Sequence, residues 1–232
     1  MAKGTCDIVF LIDATGSMAS CIDGLKDNIG AFVESIERDP QTPITDWRAA
    51  VVGFRDVKSD GNDWLVLNPF VRGAPAVRTQ LSGLTAQGGG DEPESLLDAL
   101  YTVATLEDAT AQAEDAQKWR AKGIAARVVV VFSDATFHPE MAIPAAAGGT
   151  AADVGHAVMA KRLACFFFAP GFDCYSDLAM FDKAEHTEIC PGTDADPQAR
   201  MREYTSDMAN FQKVLRMLGK TITKSVAAES VG

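Results

Sequence analysis

Three short segments of the sequence combine acidic and hydroxyl side chains with glycine or small residues. They are Asp-Ala-Thr-Gly-Ser at 13–17, Gly-Gly-Gly-Asp-Glu-Pro-Glu-Ser at 88–95, and Ser-Asp-Ala-Thr at 133–136. The candidate metal ligands in them all present oxygen: Asp13, Thr15, Ser17, Asp91, Glu94 and Asp134. Hard oxygen donors without thiolate or imidazole select Mg²⁺, Mn²⁺ or Ca²⁺ over zinc or copper. The expected cofactor is therefore Mg²⁺, with Mn²⁺ or Ca²⁺ as alternatives.

The neutral hydroxyls in this set bear on what the site would do. Hydroxyl oxygens bind a cation without cancelling its charge, so a cation held partly by Thr15 and Ser17 would still attract an anion from outside. An anionic group of a partner could complete such a site. The residues expected to form the rim that meets this partner are Met18, Glu92, Thr136 and His138.

Each segment also has a plainer interpretation when it is taken alone. Asp, Thr and Ser at 13–17 are good helix caps. Asp91 and Glu94 would be favoured by the dipole at the start of a following helix, and Asp134 suits a turn. Three independent caps need not fall at three ligand positions, so the segments together favour the metal interpretation.

The hydrophobic pattern predicts the elements that bring these segments together. A continuous apolar run predicts a strand at 8–12, and an unbroken β-branched run predicts one at 127–132. Further strands are predicted at 47–54, 64–71, 163–169 and 187–190. Apolar residues three or four apart predict helices at 22–36, 75–84, 93–106, 151–162, 176–184 and 204–222, with 109–120 extending or following the helix at 93–106. The close second and third strands predict an antiparallel hairpin at a sheet edge, and 127–132 is expected at the centre.

Alternating strands and helices predict a mostly parallel sheet covered on both faces. Ligands of such sheets bind outside the carboxyl ends of the strands, where all three polar segments would lie. The segments 138–150 and 172–200 are expected to decorate that edge.

The polar segments resemble the metal-ion-dependent adhesion site of von Willebrand factor type A domains. Thr15 stands where the family's first motif, Asp-x-Ser-x-Ser, has its first serine, and Asp134 matches the acidic residue after the central strand. Asp91 matches the position of a threonine in many members, whereas Glu94 matches the glutamate of the integrin β-type loop, and the choice between them stays open. The segment 54–56, Phe-Arg-Asp, resembles a similar segment in the same branch of the family.

This resemblance covers about 6–217 and implies both a fold and a function. The implied fold is a three-layer, Rossmann-like α/β fold with one antiparallel edge strand, formed by a single domain over 1–232. The implied function is a divalent-metal-dependent protein-binding module, used in adhesion or scaffolding, and not an enzyme. A carboxylate of the partner protein would complete the metal site. The resemblance does not indicate the oligomeric state.

Composition excludes several other classes of protein. The chain has 232 residues, 47% of them apolar, and no apolar run long enough to span a membrane. Its net charge of −11 makes nucleic acid a poor partner. Five cysteines, an odd number without a CxxC pair, favour free thiols and a cytoplasmic location, and the apolar run at 8–12 is too short for a signal peptide.

Two alternative functions are weaker. One is a scaffolding domain whose metal site is vestigial. The other is a Mg²⁺-dependent phosphohydrolase of the haloacid dehalogenase type, but such an enzyme needs a second aspartate where Thr15 stands, to act as general acid.

Overall fold

The six-stranded sheet of the computed structural model carries the polar segments on its edge. The structure describes residues 4–20, 22–38, 44–90, 92–189, 196–207 and 209. Within them the strands are β1 (Gly4–Asp13), β2 (Ile44–Phe54), β3 (Leu65–Leu67), β4 (Ala126–Phe132), β5 (Leu163–Ala169) and β6 (Ala184–Glu188). Their order is β3-β2-β1-β4-β5-β6, and only the β2–β3 pair is antiparallel. The predicted α/β architecture with one antiparallel edge strand is confirmed.

Helices cover both faces of the sheet. They are α1 (Ile22–Arg38), α2 (Val57–Asp60), α3 (Ala74–Gly83), α4 (Leu96–Thr105), α5 (Ala151–Lys161), α6 (Tyr175–Ala179) and α7 (Pro197–Ser206). Short 3-10 helices occupy Gly16–Ser20 and Gly61–Asp63. No described helix is both long enough and apolar enough to cross a membrane.

Alternation along β1 divides the core into two layers. Ile8, Phe10 and Ile12 belong to the layer under α1, α3 and α7. Val9 and Leu11 point the other way, into the layer under α4, α5 and α6. Because successive side chains of a strand point to opposite faces, a strand buried on both faces is apolar throughout. This explains the unbroken apolar run that predicted the strand.

The structure departs from the sequence prediction in several elements. Residues 109–120 form turns and isolated bridges rather than helix, because the buried Trp119 is held by its indole, which donates to the Val103 carbonyl at 3.0 Å. The third strand is limited to three residues, and the last strand begins three residues before the predicted start at 187. The helix α7 begins within the segment 172–200, which was expected to decorate the binding edge, and continues beyond it. The predicted helix at 204–222 lies largely outside the described residues.

β1 and β4 are adjacent central strands, and this adjacency places the predicted site. Both run in the same direction, so Asp13 at the end of β1 and Asp134 just after β4 lie at the same edge. The segment 88–95 reaches that edge through backbone bonds, with Gly16 N–H donating to the Gly88 carbonyl at 3.1 Å.

Candidate metal centre

A continuous chain of oxygen contacts joins the carboxyl ends of β1 and β4. Thr15 Oγ1 lies 2.6 Å from Asp13 Oδ1 and 3.0 Å from Ser17 Oγ. Ser17 Oγ in turn lies 2.9 Å from Asp134 Oδ1. Ser133 Oγ donates to the other oxygen of Asp13 at 2.7 Å. Four of the six predicted ligands are therefore in direct contact with one another.

This chain of contacts is short of one proton when both carboxyl groups are ionised. Three oxygen–oxygen contacts run from Asp13 through Thr15 and Ser17 to Asp134, but two hydroxyls supply only two protons. When both carboxylates are ionised and accept those protons, the Thr15–Ser17 contact has none. A cation bound by the lone pairs of both hydroxyls would remove the deficit. In octahedral Mg²⁺ coordination, with metal–oxygen distances near 2.05 Å, adjacent ligands lie about 2.9 Å apart, close to the observed separation.

Glu94 enters the same edge from the segment before α4. Its backbone N–H donates to the Thr136 carbonyl at 2.9 Å, and its own carbonyl accepts from the His138 N–H at 2.9 Å. These bonds fix the segment 88–95 against the segment that follows β4. A Cβ placed on Gly89 would come within 2.7 Å of Thr15 Cβ and 2.8 Å of Glu94 Oε1, so both side chains converge on this glycine.

The carboxyl groups at this edge are buried without a basic side chain beside them in the described part of the chain. Burial, together with the charges of Asp13 and other nearby acids, raises the pKa of Glu94 to about 9. Burial and the charge of Asp13 raise the pKa of Asp134 to about 7, and burial also raises the pKa of Asp13. Glu94 Oε2 and Asp134 Oδ2 have no hydrogen-bond partner. Within the described residues, no lysine or arginine forms an ion pair with these three acids.

These observations fit a hard cation, although the acids do not form a compact cluster. No group of three or more His, Cys, Asp or Glu side chains in the described part of the chain is arranged to hold a metal. The donor set here differs from such a cluster, because two of its members, Thr15 and Ser17, are hydroxyls that stand between the carboxylates. Partnerless buried carboxylate oxygens are costly, and a bound cation would satisfy them.

Several residues that sequence reasoning did not place in the site hold it in position. Arg55 is buried and donates to three backbone carbonyls, those of Ala14 at 3.2 Å, Asp63 at 2.6 Å and Thr85 at 3.1 Å. It therefore ties the loop after β1 to two other segments. The Phe-Arg-Asp segment was noted in the sequence, but nothing in its pattern indicated these distant partners.

Asp56 connects the same region to the predicted rim. Its Oδ1 accepts from Ser95 Oγ at 2.9 Å and lies 3.0 Å from His138 Nε2. Its Oδ2 accepts from the Ser59 N–H at 3.0 Å, which caps α2. Hydrogen bonds from Ser95 and Ser59 outweigh burial and lower the pKa of Asp56.

The predicted rim is only partly at the surface. Met18 is buried in the core and cannot touch a partner, because the 3-10 helix turns its side chain inward. Glu92 is exposed and accepts from Thr136 Oγ1 at 3.3 Å. His138 is largely occupied by Asp56 and by Lys58 Nζ at 3.4 Å. Asp91, the alternative to Glu94, lies outside the described residues.

The fold and this edge define a class: a mostly parallel α/β domain with oxygen donors gathered at the carboxyl ends of its central strands. No protein-family model matches the sequence, and no curated protein does. Solved structures do match. Two crystal forms of proximal thread matrix protein 1 from the mussel byssus superpose with TM-scores of 0.55 and 0.54, each at 13% identity. They cover 90% and 93% of this chain, which spans 49% and 46% of theirs. At this identity the likeness shows the fold.

The prediction of a cytoplasmic location is contradicted by these neighbours, which are proteins of the byssal thread matrix. The cysteine argument was weak for a physical reason. Cys6 and Cys165 are core residues, and burial raises the pKa of both thiols and shields them. Unpaired cysteines of this kind do not report the redox state of the surroundings.

Proposed function

We propose that the chain is a protein-binding module of the von Willebrand factor A type whose contact with its partner depends on a divalent cation. Asp13, Thr15, Ser17, Glu94 and Asp134 would hold the cation, with Asp91 as a further candidate. Mg²⁺ is the cation proposed first, with Mn²⁺ and Ca²⁺ as alternatives. A carboxylate of the partner would complete the site.

One observation carries this proposal. With both carboxylates ionised, the oxygen chain between Asp13 and Asp134 would lack one proton, and carboxylate oxygens of Glu94 and Asp134 at the same edge are buried without hydrogen-bond partners among the described residues. Asp13 accepts from the Thr15 N–H at 3.0 Å, as a capping residue would. Capping alone does not explain the partnerless carboxylate oxygens of Glu94 and Asp134, because a cap is satisfied by the backbone N–H groups that it accepts.

The cation and the residues that hold it would have different roles in binding the partner. A bound cation would supply Lewis acidity and a positive charge for an incoming carboxylate. Thr15 and Ser17 present neutral oxygens and direct their protons to Asp13 and Asp134, which keeps that charge available. Ser17 is partly exposed beside the exposed Gly16, so the edge is accessible from solvent at this point.

The structural neighbours support the broader part of the proposal. They are named as matrix proteins, a role that fits binding or scaffolding better than catalysis. The proposal treats 1–232 as a single domain without enzymatic activity.

Calorimetric titration of Mg²⁺ and Mn²⁺ into chelator-stripped protein tests the metal site. We expect saturable one-to-one binding that is lost in Asp13→Ala and in Ser17→Ala. The second variant guards against misfolding, because Ser17 is partly exposed. Asp23→Ala is the matched control, because it removes an acidic side chain from the exposed surface of α1. Absence of binding to the unmodified protein would instead favour a scaffolding domain with a vestigial site.

Panning a phage-displayed linear peptide library in Mg²⁺, with elution by EDTA, tests the partner chemistry. We expect the eluted peptides to be enriched in Asp or Glu, and to bind Asp13→Ala no better than background. Peptides that remain bound in EDTA would contradict the role of the cation.

A further inference from the structure

A groove between α5 and α6 is a second surface that the metal site does not use. It has a volume of about 690 Å³, within the range of sites that take up a ligand or a few side chains. Its lining is mainly apolar and includes Phe137, Gly155, Met159, Cys174, Met180 and Phe181. The absence of a side chain at Gly155 lets the Phe181 ring lie directly against α5, where a Cβ would be 2.9 Å from the ring.

Two exposed methionines flank this α5–α6 groove. Met159 is 58% exposed and Met180 is 84% exposed. The unbranched thioether side chain adapts its shape to a bound surface, which is why methionine is common at peptide-binding surfaces. Scattered exposed apolar residues need no explanation, but two beside an apolar groove indicate a contact surface.

The charge at the groove has one sign. Asp177 and Asp182 line it, together with His156, and no lysine or arginine is among its described lining residues. Neither aspartate forms an ion pair within the described part of the chain. The groove therefore complements an apolar ligand that carries positive charge beside its apolar part.

The end of the groove at Phe137 lies close to the edge of the sheet that carries the proposed metal site. Phe137, which lines the groove, is only three residues after Asp134, so the two Cα atoms are at most about 11 Å apart. Phe137 packs edge-on against Tyr175 with ring centroids 5.3 Å apart, and Tyr175 Oη donates to the Ala135 carbonyl at 2.8 Å. A protein bound at the edge can thus extend into the groove.

We propose that the α5–α6 groove docks a basic, apolar segment of a partner protein. An apolar side chain of that segment enters between Met159 and Phe181, and a neighbouring lysine or arginine pairs with Asp177 or Asp182. This docking does not require a bound cation, so it can be tested independently of the proposed metal site.

Fluorescence anisotropy with two synthetic peptides tests this proposal in buffer containing EDTA. The first is a fluorescein-labelled 12-residue peptide that alternates Leu and Lys pairs, and the second has Glu in place of every Lys. We expect saturable one-to-one binding of the Lys peptide and at least tenfold weaker binding of the Glu peptide. The double variant Met159→Lys/Met180→Lys is expected to weaken binding of the Lys peptide at least tenfold.

A matched variant separates the groove from a general effect of charge. Val66→Lys/Ile124→Lys adds the same two charges at residues that are 39% and 46% exposed and do not line the groove. It is expected to bind the Lys peptide within twofold of the unmodified chain. Equal losses in the two double variants would overturn the proposal, because general repulsion would then explain both.

Cys174 provides a local reporter of occupancy. It lines the groove and is half-buried, so the bound Lys peptide is expected to slow its alkylation by N-ethylmaleimide at least threefold. The rate is measured by mass spectrometry of the proteolytic fragment that contains Cys174. Unchanged alkylation at saturating peptide would overturn the assignment. Self-association that the Met159→Lys/Met180→Lys variant abolishes would also overturn it, in favour of a second copy. If the groove takes up a neutral detergent but binds neither peptide, the assignment would likewise be overturned, and the ligand of the groove would be a small amphiphile.

Discussion

The hydroxyl oxygens of Thr15 and Ser17 lie 3.0 Å apart, and each also contacts a carboxylate at the end of a different central strand. Thr15 contacts Asp13 after β1, whereas Ser17 contacts Asp134 after β4. The pair therefore bridges the two strands through four oxygens that share two hydroxyl protons. The bridge therefore depends on the hydroxyl group of both residues.

Removal of either hydroxyl is expected to weaken metal binding. Thr15→Val keeps the shape of the side chain but replaces the oxygen by a methyl group, so we expect Mg²⁺ affinity to fall about 10- to 100-fold. Thr15→Ser keeps the oxygen and restores the family's Asp-x-Ser-x-Ser pattern, so its affinity is expected within about threefold of the original. Calorimetric titration of both variants decides the point, and equal affinities would show that the hydroxyl is not a ligand.

The stability of the metal-free protein is expected to fall as pH rises. The pKa of Glu94 is raised to about 9 and that of Asp134 to about 7. Between the ordinary carboxyl pKa and these values, the folded state holds protons that the unfolded state has released. The stability that these protons confer is present at low pH and is lost as pH rises through 7 and then 9. Scanning fluorimetry of chelator-stripped protein between pH 5 and pH 9 should show Tm falling across this range.

Glu94→Gln is the control for this pH dependence. The neutral amide cannot ionise, so the Tm of this variant should fall less steeply, above all between pH 7 and pH 9. Saturating Mg²⁺ should also flatten the profile of the unmodified protein, because the cation replaces the protons. A Tm that rises across the range, or identical slopes with and without Glu94, would contradict the interpretation.

Much of the fold could be predicted because its signals are local. The run 127–132 contains four consecutive valines, whose β-branched side chains favour a strand buried on both faces, and it is the central β4. The prediction of helix at 109–120 is wrong because the structure of this segment depends on distant partners. Arg48 donates to the carbonyls of Asp115 and Lys118, and Trp119 bonds to α4. No periodicity within the segment encodes these contacts.

The same distinction applies to the candidate site. Asp13, Thr15 and Ser17 lie within five residues, and their spacing, together with the two other polar segments, indicated a shared role. Ser133 contacts Asp13 across 120 residues of sequence, and Arg55 binds carbonyls in three separate segments. Such supporting contacts arise only when the sheet has assembled, so a single sequence does not reveal them.

Gly89 is expected to tolerate no side chain. Its φ of +93° disfavours an L-residue, and an added Cβ would lie 2.7 Å from Thr15 Cβ and 2.8 Å from Glu94 Oε1. Gly61→Ala is the matched control, because Gly61 also has a positive φ but an added Cβ would meet no atom within 4 Å. Gly61 has φ 56° and ψ −120°, outside the left-handed helical region, so we expect Gly61→Ala to cost about 1–3 kcal/mol of backbone strain alone. Gly89→Ala should cost more and should also lower Mg²⁺ affinity. Urea unfolding and calorimetry measure the two effects, and equal behaviour of the variants would contradict the close approach.

Asp7, at the opposite end of β1, is expected to stabilise the fold without affecting the metal site. It is fully buried and accepts from Arg48 Nε at 2.9 Å, Arg48 Nη2 at 2.8 Å and the Arg120 N–H at 2.8 Å. The Arg120 guanidinium also pairs with Asp7, with Nε 2.9 Å from Oδ1. Asp7→Ala would therefore leave two buried guanidinium groups short of a partner, so urea unfolding should show a loss of about 3–5 kcal/mol. Removing the exposed Asp23, 3.5 Å from Lys26, should cost less than about 1 kcal/mol. Six residues of extended strand, about 20 Å, separate Asp7 from Asp13. Mg²⁺ affinity of folded Asp7→Ala protein should therefore be unchanged, and a matching loss of affinity would mean that the two ends of β1 are coupled.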